Sequence, residues 1–388
     1  MIRSDIRRQL ELIAMAKESR AANVKKSNPR IVADDPAVAE PKPGDRCFCA
    51  QPPVTPIVLP PDIRTDRAYA IYSNNKRWVS TTTLHYCFVE RASNPSWSWS
   101  ETEKDVVRDA FQEWKRVGIG LDFVEVERPG DAEIKIGNYH NNESWSYVGT
   151  DCLRNEDLGR TMNFGWDVRT RWGRATALHE IGHALGLEHE HQNPNSGIVW
   201  NEEEVIRVFS GEPNNWKLPG IQHNILNKLQ GISLRGSSWR PQSIMHYEFT
   251  AAMIRHPAPY NATGIAATYN LDSSDKTVIL EAYPSLRRRN IQVMRMEALP
   301  AEIGAQAAFT FVPEDTRVYR IQTVGQSDMR VVVFEERDGE PRHHISEDDS
   351  GADANLMIET KLIAGRPYVI STRTNFVDSR DGVGLLIS

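Results

Sequence analysis

The stretch HEIGHALGLEH, residues 179–189 of a 388-residue chain, carries three histidines at fixed spacing. His179 and His183 are four residues apart, so on a helix both imidazoles project from one face. Gly186 can adopt the left-handed conformation that ends a helix, after which the chain can bring His189 to the same ion. Three neutral imidazoles leave one position of a zinc ion open, as catalysis requires. The stretch therefore predicts a catalytic Zn²⁺ site held by His179, His183 and His189.

Glu180 lies beside the first histidine, where its carboxylate can hold a water molecule at the metal and take its proton. The motif therefore predicts zinc-dependent hydrolysis with Glu180 as the general base. His191 is the alternative third ligand, but the spacing from Gly186 favours His189. Six further histidines have no ligand spacing: His85, His140, His223, His256, His343 and His344.

The histidine motif resembles that of the metzincin zinc peptidases. A second motif, SIMHY at residues 243–247, resembles the astacin family's version of the methionine turn beneath the metal. Glu190, directly after the third histidine, also matches astacins. The resemblance covers about residues 70–285 and implies an astacin-like zinc endopeptidase that cleaves peptide bonds.

Several site residues follow from this resemblance alone. Met245 would form the hydrophobic floor under the zinc. Tyr247 would be an extra ligand that releases the metal and hydrogen-bonds the developing oxyanion. Glu190 would bind the mature N-terminus in a buried pair. The substrate would lie extended along an edge strand near residues 162–166.

The sequence also departs from typical astacins. Glu190 is followed by His-Gln-Asn-Pro instead of an Arg- and Asp-rich continuation. The two usual disulfides cannot both form from Cys87 and Cys152, and even one bridge between these two cannot be deduced from the sequence. These differences indicate a divergent branch, whose cleavage specificity should not be transferred from the family.

The chain divides into three predicted segments. Residues 1–66 start like a short amphipathic helix and continue in a Pro-rich run, typical of an extended pro-segment. Residues 67–285 predict an α+β, metzincin-type peptidase domain with a twisted mixed sheet, an active-site helix and the methionine turn. Residues 286–388 predict a small all-β sandwich, because short strands alternate with Gly, Asp and Pro turns.

The C-terminal segment resembles bacterial pre-peptidase C-terminal domains in three stretches, at residues 319–328, 348–355 and 364–368. The second stretch, DDSGADAN, offers oxygen ligands for Ca²⁺. A solvated turn is the favoured interpretation of this stretch.

Residues 44–49, GDRCFC, lie in a Pro-flanked region ahead of the catalytic segment. A thiolate of Cys47 or Cys49 would fill the open zinc position, as a pro-segment cysteine does in matrixins, a sister family. Asp45 resembles the aspartate that typical astacins use for the same purpose. The third interpretation is a disordered linker with two free thiols. The first two interpretations make the chain a zymogen.

Composition bears on partners and location. The net charge of −6 gives no general attraction to nucleic acid or anionic membranes. The sequence contains no run of about 18 apolar residues, so it predicts no membrane span. The peptidase motif implies protein or peptide substrates, and the oligomeric state is left open with a monomer favoured. The N-terminus lacks the apolar stretch of a signal peptide, so secretion is implied by the resemblance only, and a cytoplasmic location is the alternative.

Two other function classes fit a zinc motif. A zinc-binding module that has lost catalysis is one, although the presence of Glu180 argues against it. A zinc hydrolase that cleaves a bond other than a peptide bond is the other.

Overall fold

The structure is a computed structural model that describes residues 38–42, 46–54, 76–90, 97–229, 238–325, 327–337, 339–347, 355–377 and 382–388. Most of the predicted pro-segment therefore lies outside the described residues. The same is true of Asp45 and of residues 348–354, so the predictions of an aspartate block and of a turn or Ca²⁺ site fall outside them as well.

A five-stranded mixed sheet forms the first layer of the peptidase part. Its strands are β1 (Thr83–Val89), β2 (Asp122–Glu125), β3 (Ile134–Gly137), β4 (Trp145–Ser146) and β5 (Met162–Asn163), in the spatial order β2-β1-β3-β5-β4. All neighbours are parallel except β4 and β5, which are antiparallel. The predicted mixed sheet is confirmed.

The prediction that residues 162–166 supply the substrate edge is wrong. Met162 in β5 is paired on both sides, with Ile136 and with Ser146. The strand at this edge of the sheet is instead β4, a two-residue strand that is too short to show any alternation of apolar and polar residues in the sequence. Main-chain groups around residues 144–146 therefore lie at this edge, and β2 forms the opposite edge.

Two long helices form the second layer. The helix α1 (Glu101–Arg116) begins with a capping box, in which Ser100 and Glu103 each accept a hydrogen bond from the other's main chain. On its buried face, Trp114 donates from Nε1 to the carbonyl of Leu178, at 3.1 Å. Leu178 belongs to α2 (Arg171–Ala184), so this bond fixes α1 against the helix that carries the histidine motif.

Shorter elements follow α2 and complete the peptidase part: β6 (Val199–Trp200), α3 (Glu202–Ser210), α4 (Leu218–Ile221), β7 (Ile254–His256), α5 (Tyr260–Thr263) and α6 (Ser273–Ala282). They enclose an apolar cluster that includes Phe209 and Phe249, and Phe48 packs against it. None of the helices in the described ranges is long and apolar enough to cross a membrane.

The C-terminal part is the predicted all-β sandwich. Its strands are β8 (Arg289–Asn290), β9 (Glu297–Leu299), β10 (Gln306–Phe311), β11 (Arg317–Val324), β12 (Asp328–Arg337), β13 (Glu340–Glu347), β14 (Met357–Leu362), β15 (Tyr368–Phe376) and β16 (Val383–Ile387). One sheet has the order β13-β12-β15-β10-β8 and the other has the order β14-β11-β16-β9. The sequence did not predict β13, because its residues EPRHHISE combine a proline with charged side chains.

The sandwich packs directly against the peptidase part. A shared buried cluster consists of Val79, Val332, Phe334 and Val369. Beside it, the buried Arg373 donates from Nη1 to the carbonyls of Trp78, at 3.3 Å, and Ala282, at 3.0 Å. Burial lowers the pKa of Arg373 to about 10. These contacts join residues on both sides of position 285. They do not test the predicted domain boundary there, which stays a prediction.

Candidate active site

The helix α2 and the turn after it carry the three histidines. His179 and His183 lie on one face of α2, with ring centroids 4.6 Å apart. Gly186 has a φ of +86°, which an L side chain rarely adopts, and it ends the helix as predicted. The turn brings the ring centroid of His189 to 4.6 Å from that of His183.

The Nδ1 atom of each histidine donates a hydrogen bond to an oxygen. The acceptors are the carbonyl of Ile244 for His179 at 2.8 Å, the carbonyl of Leu187 for His183 at 2.7 Å, and Oε1 of Gln192 for His189 at 3.2 Å. Because the proton sits on Nδ1, the lone pair of each ring is on Nε2, the arrangement found in metal-binding histidines.

The Nε2 atoms converge. Those of His183 and His189 are 3.1 Å apart, and Nε2 of His179 is buried without a hydrogen-bond partner among the described residues. Burial lowers the pKa of His179 to about 4 and those of His183 and His189 well below the usual value. Neutral imidazoles with converging lone pairs are a donor set that fits Zn²⁺.

A thiol completes this group. Sγ of Cys49 and the ligand nitrogens of the three histidines all lie within 4.8 Å of one another, and all four residues are buried. Zinc binds both imidazole nitrogen and thiolate sulfur. Burial and, to a lesser extent, the neighbouring Glu180 raise the pKa of Cys49 well above its usual value. Cys47 is buried too, but it is not part of the group.

Glu180 faces the same point as the histidine nitrogens. Its Oε2 lies 3.5 Å from Sγ of Cys49, and its side chain is fully buried. Burial raises the pKa of Glu180 to about 8. A carboxyl group placed here can exchange a proton with whatever occupies the position of the Cys49 sulfur.

The methionine turn lies under the histidines. Gly182 on α2 makes room for it, because a Cβ there would come 2.5 Å from Sδ of Met245. Asp275 holds the turn: its carboxylate accepts from the hydroxyl of Ser243 at 2.5 Å and from the amide of Ile244 at 2.9 Å. Burial raises the pKa of Asp275 to about 6.

Asp275 supports the site, and no motif in the sequence indicates this role. It occupies the third position of α6, whose N-cap is Asp272, and the two form a capping box. The capping pattern could have located the helix, although it could not have shown that the same carboxylate reaches back to the methionine turn.

Tyr247 follows the turn and points to the metal-ligand group. Its hydroxyl lies 2.9 Å from Nε2 of His189 and donates to the carbonyl of Cys49 at 2.5 Å. The Tyr247 side chain is only 4% exposed. Packing around the ring therefore holds the hydroxyl toward the ligand group.

Residues 46–51, hereafter the N-terminal segment, lie along the site. Cys49 pairs with Ser144 in the parallel sense, next to the edge strand β4, and the amide of Ala50 donates to the carbonyl of Ser144 at 2.8 Å. The side-chain nitrogen of Gln51 lies 2.9 and 3.2 Å from the two ring nitrogens of His183. The N-terminal segment therefore covers the histidine group.

Residues 70–260 match the model of the astacin family of peptidases. This chain carries an astacin-like metzincin domain. Matrix metalloproteinase-C of Caenorhabditis elegans is 28% identical over 200 residues, which are 45% of this chain and 32% of that protein. The chain spans 16–32% of the length of the curated relatives that it matches.

Two solved structures are also similar to parts of this chain. A structure of myroilysin is 27% identical with a TM-score of 0.47, and the match covers 55% of this chain and 97% of that chain. The pre-peptidase C-terminal domain of a collagenase from Bacillus anthracis matches 26% of this chain and 96% of its own at 14% identity, with a TM-score of 0.21. The resemblance of the sandwich to such domains stays a prediction.

Two further residues predicted for the site, His191 and Glu190, do not belong to the ligand group. His191 is bonded through Nε2 to the carbonyl of Asn224 at 2.8 Å and does not belong to the group. Oε1 of Glu190 accepts from the amide of Arg240 at 3.0 Å and from Asn193 at 3.1 Å, and burial raises its pKa to about 7.

The four cysteines, all of them within the described ranges, are free thiols. A bridge between Cys87 and Cys152 is therefore not formed in this structure. Instead, Sγ of Cys87 lies 3.5 Å from the carbonyl of Glu127.

Proposed function

We propose that this astacin-like chain is a zinc-dependent endopeptidase. The observation that carries the proposal is the convergence of three neutral imidazole nitrogens and the buried carboxylate of Glu180 on one point. His179, His183 and His189 would hold the metal. When bound, zinc makes water more acidic and polarises a carbonyl oxygen.

Glu180 has two duties in this mechanism. It accepts a proton from the attacking water, and it later passes that proton to the amine of the leaving peptide. In the full chain its side chain is fully buried, with Cys49 of the N-terminal segment among the residues that cover it. The sulfur of Cys49 lies 3.5 Å from Oε2 of Glu180. In the active enzyme, the attacking oxygen would lie at the position of this sulfur.

Tyr247 and Met245 support the same reaction. Once the carbonyl of Cys49 has left, the hydroxyl of Tyr247 is free to donate to the oxyanion that develops on the scissile carbonyl. Met245 packs beneath Gly182 and supports the helix from which His179 and His183 project. The bonds from Asp275 keep this support in place.

The proposal is tested by casein digestion with purified protein whose pro-segment has been removed by limited proteolysis. Because the ligand set binds zinc, a chelator should abolish digestion and added zinc should restore it. Zinc content is measured on the same sample. Zinc binding without digestion of casein or any peptide would favour a binding module, and hydrolysis of esters alone would favour a different hydrolase.

Tyr247→Phe should lower kcat by about 10- to 1,000-fold, the range for one oxyanion donor. KM should change little, because the hydroxyl is proposed to act mainly in the transition state. Steady-state kinetics on a fluorogenic peptide measure both constants. An unchanged kcat in a well-folded, zinc-loaded variant would reduce Tyr247 to a packing residue.

The same geometry supports latency through Cys49. Its thiol lies within the ligand group, while the main chain of Cys49 is tied to Ser144 and to Tyr247. A thiolate on the metal would exclude the attacking water. Cys47, whose thiol is outside the group, is not the blocking residue in this proposal.

Other assignments rest on the family resemblance. Secretion and a new N-terminus that pairs with Glu190 after cleavage are parts of the proposal. So is the division into a pro-segment at 1–66, a peptidase domain at 67–285 and a sandwich at 286–388. For residues 348–355 a solvated turn stays the favoured interpretation over a Ca²⁺ site. Proteins or peptides are the expected substrates.

A further inference from the structure

The side chain of Arg46 is held in a pocket of the cleft. Nη1 donates to Oε2 of Glu248 at 2.6 Å, and Nη2 donates to the hydroxyl of Tyr269 at 2.9 Å. The guanidinium carbon lies 4.8 Å from the ring centroid of Trp172. The Arg46 side chain is only 10% exposed. A carboxylate, a hydroxyl and an aromatic face together make a site for a guanidinium or ammonium group.

This pocket belongs to the active-site cleft. Trp172 and Glu248 line the same cavity as His179, Glu180 and Cys49. Trp172 is on α2, seven residues ahead of His179, and Glu248 directly follows Tyr247. A peptide that reaches the catalytic group therefore passes the carboxylate of Glu248.

Release of the N-terminal segment changes the surroundings of Glu248. Among the described residues, its ion pair is with Arg46, and its own side chain is 20% exposed. Loss of Arg46 leaves this carboxylate without its charged partner. A basic side chain of a substrate restores that charge pair, whereas an acidic side chain is repelled. Arg171 stacks on the ring of Tyr269 at 3.9 Å, so this ring already accepts a guanidinium.

We infer that Glu248, Trp172 and Tyr269 form a specificity subsite for an arginine or lysine side chain of the peptide substrate, and that Arg46 occupies it in the full chain. The inference rests on the proposed endopeptidase function. Because Arg46 lies three residues from Cys49, the selected side chain lies within about three residues of the scissile bond, at the extended-chain spacing of about 3.3 Å per residue.

The first measurement uses the intact full chain and needs no activity. Alkylation of Cys49 is followed by peptide mass spectrometry in Arg46→Ala, Glu248→Gln and the double variant. Each single change should speed alkylation, and the double variant should be no faster than the faster single one, because both remove the same pair. Arg174→Ala is the matched control: it removes a similar ion pair with Glu113, at 3.1 Å, on the same helix, and it should leave the rate unchanged.

The second measurement uses the full chain after activation by limited proteolysis. Peptides that differ only in carrying Arg, norleucine or Glu are compared at each of three positions on either side of the cleaved bond. At one position, Arg should raise kcat/KM by at least about tenfold over norleucine, since about 1.4 kcal/mol of selective binding gives that factor. Glu248→Gln should abolish the preference, and Glu248→Arg should shift it to the Glu peptides.

The outcomes separate this inference from the proposed function. Cleavage without any preference for a basic residue, or a preference that survives Glu248→Gln, overturns the subsite, even if the alkylation rates change as expected. In that case the ion pair only anchors the N-terminal segment. Zinc-loaded protein that cleaves neither casein nor any peptide of the set contradicts the endopeptidase function itself, and the subsite falls with it.

Discussion

Glu180→Gln in the activated chain should retain about one equivalent of zinc, as one site of three histidines predicts, and lose nearly all proteolysis. Glutamine has the shape of glutamate but cannot accept the proton of the attacking water. General-base catalysis contributes typically about 10²- to 10⁴-fold, so kcat/KM on a fluorogenic peptide should fall by at least about 100-fold. Metal analysis and peptide kinetics on one preparation measure both effects.

His183→Ala is the complementary variant. It removes a ligand and should lose the metal, whereas Glu180→Gln keeps all three imidazoles. Circular dichroism of both variants shows whether the fold survives, which matters because His183 also bonds to the carbonyl of Leu187 in the turn. Digestion of peptide by Glu180→Gln at close to the parent rate would refute the proposed base. Stoichiometric zinc in His183→Ala would remove His183 from the ligand set.

Cys49→Ser should activate the full-length chain without any proteolysis. The intact parent should be nearly inactive, because the thiolate of Cys49 would fill the zinc position that water needs. Serine keeps the size of the side chain, but its neutral hydroxyl is a much weaker zinc ligand than a thiolate. We expect the initial rate on a short peptide to rise by at least about tenfold, equivalent to about 1.4 kcal/mol of lost blocking interaction.

Cys47→Ser is the matched control for this prediction. Cys47 is a buried cysteine two residues away, yet its thiol lies outside the ligand group. Its replacement should therefore leave the full chain latent. A mercurial reagent should activate the parent and Cys47→Ser, but it should have no further effect on Cys49→Ser. Full activity of the intact, reduced parent would exclude the block altogether, and activation by Cys47→Ser alone would show that the block had been assigned to the wrong thiol.

The residues in local patterns were predictable from the sequence. The spacing of His179 and His183 places both rings on one helical face whatever surrounds the helix, since about 3.6 residues make one turn. Gly186 marks the end of that helix because its φ of +86° disfavours any side chain. The capping box at Ser100 likewise depends on a few neighbouring residues. The short strands and turns of the C-terminal segment similarly predicted an all-β unit.

Contacts between distant segments needed the tertiary structure. The sequence left Cys47, Cys49 and Asp45 as rival blocking residues, because the path of an extended segment depends on the surface that receives it. The structure brings Cys49 next to Glu180, 131 residues away. It also shows that β4, and not residues 162–166, forms the sheet edge beside the N-terminal segment. Asp275 beneath the methionine turn and Glu248 beside Arg46 have no local signal either. Helical spacing acts over a few residues, whereas these partners meet only because the whole domain has packed.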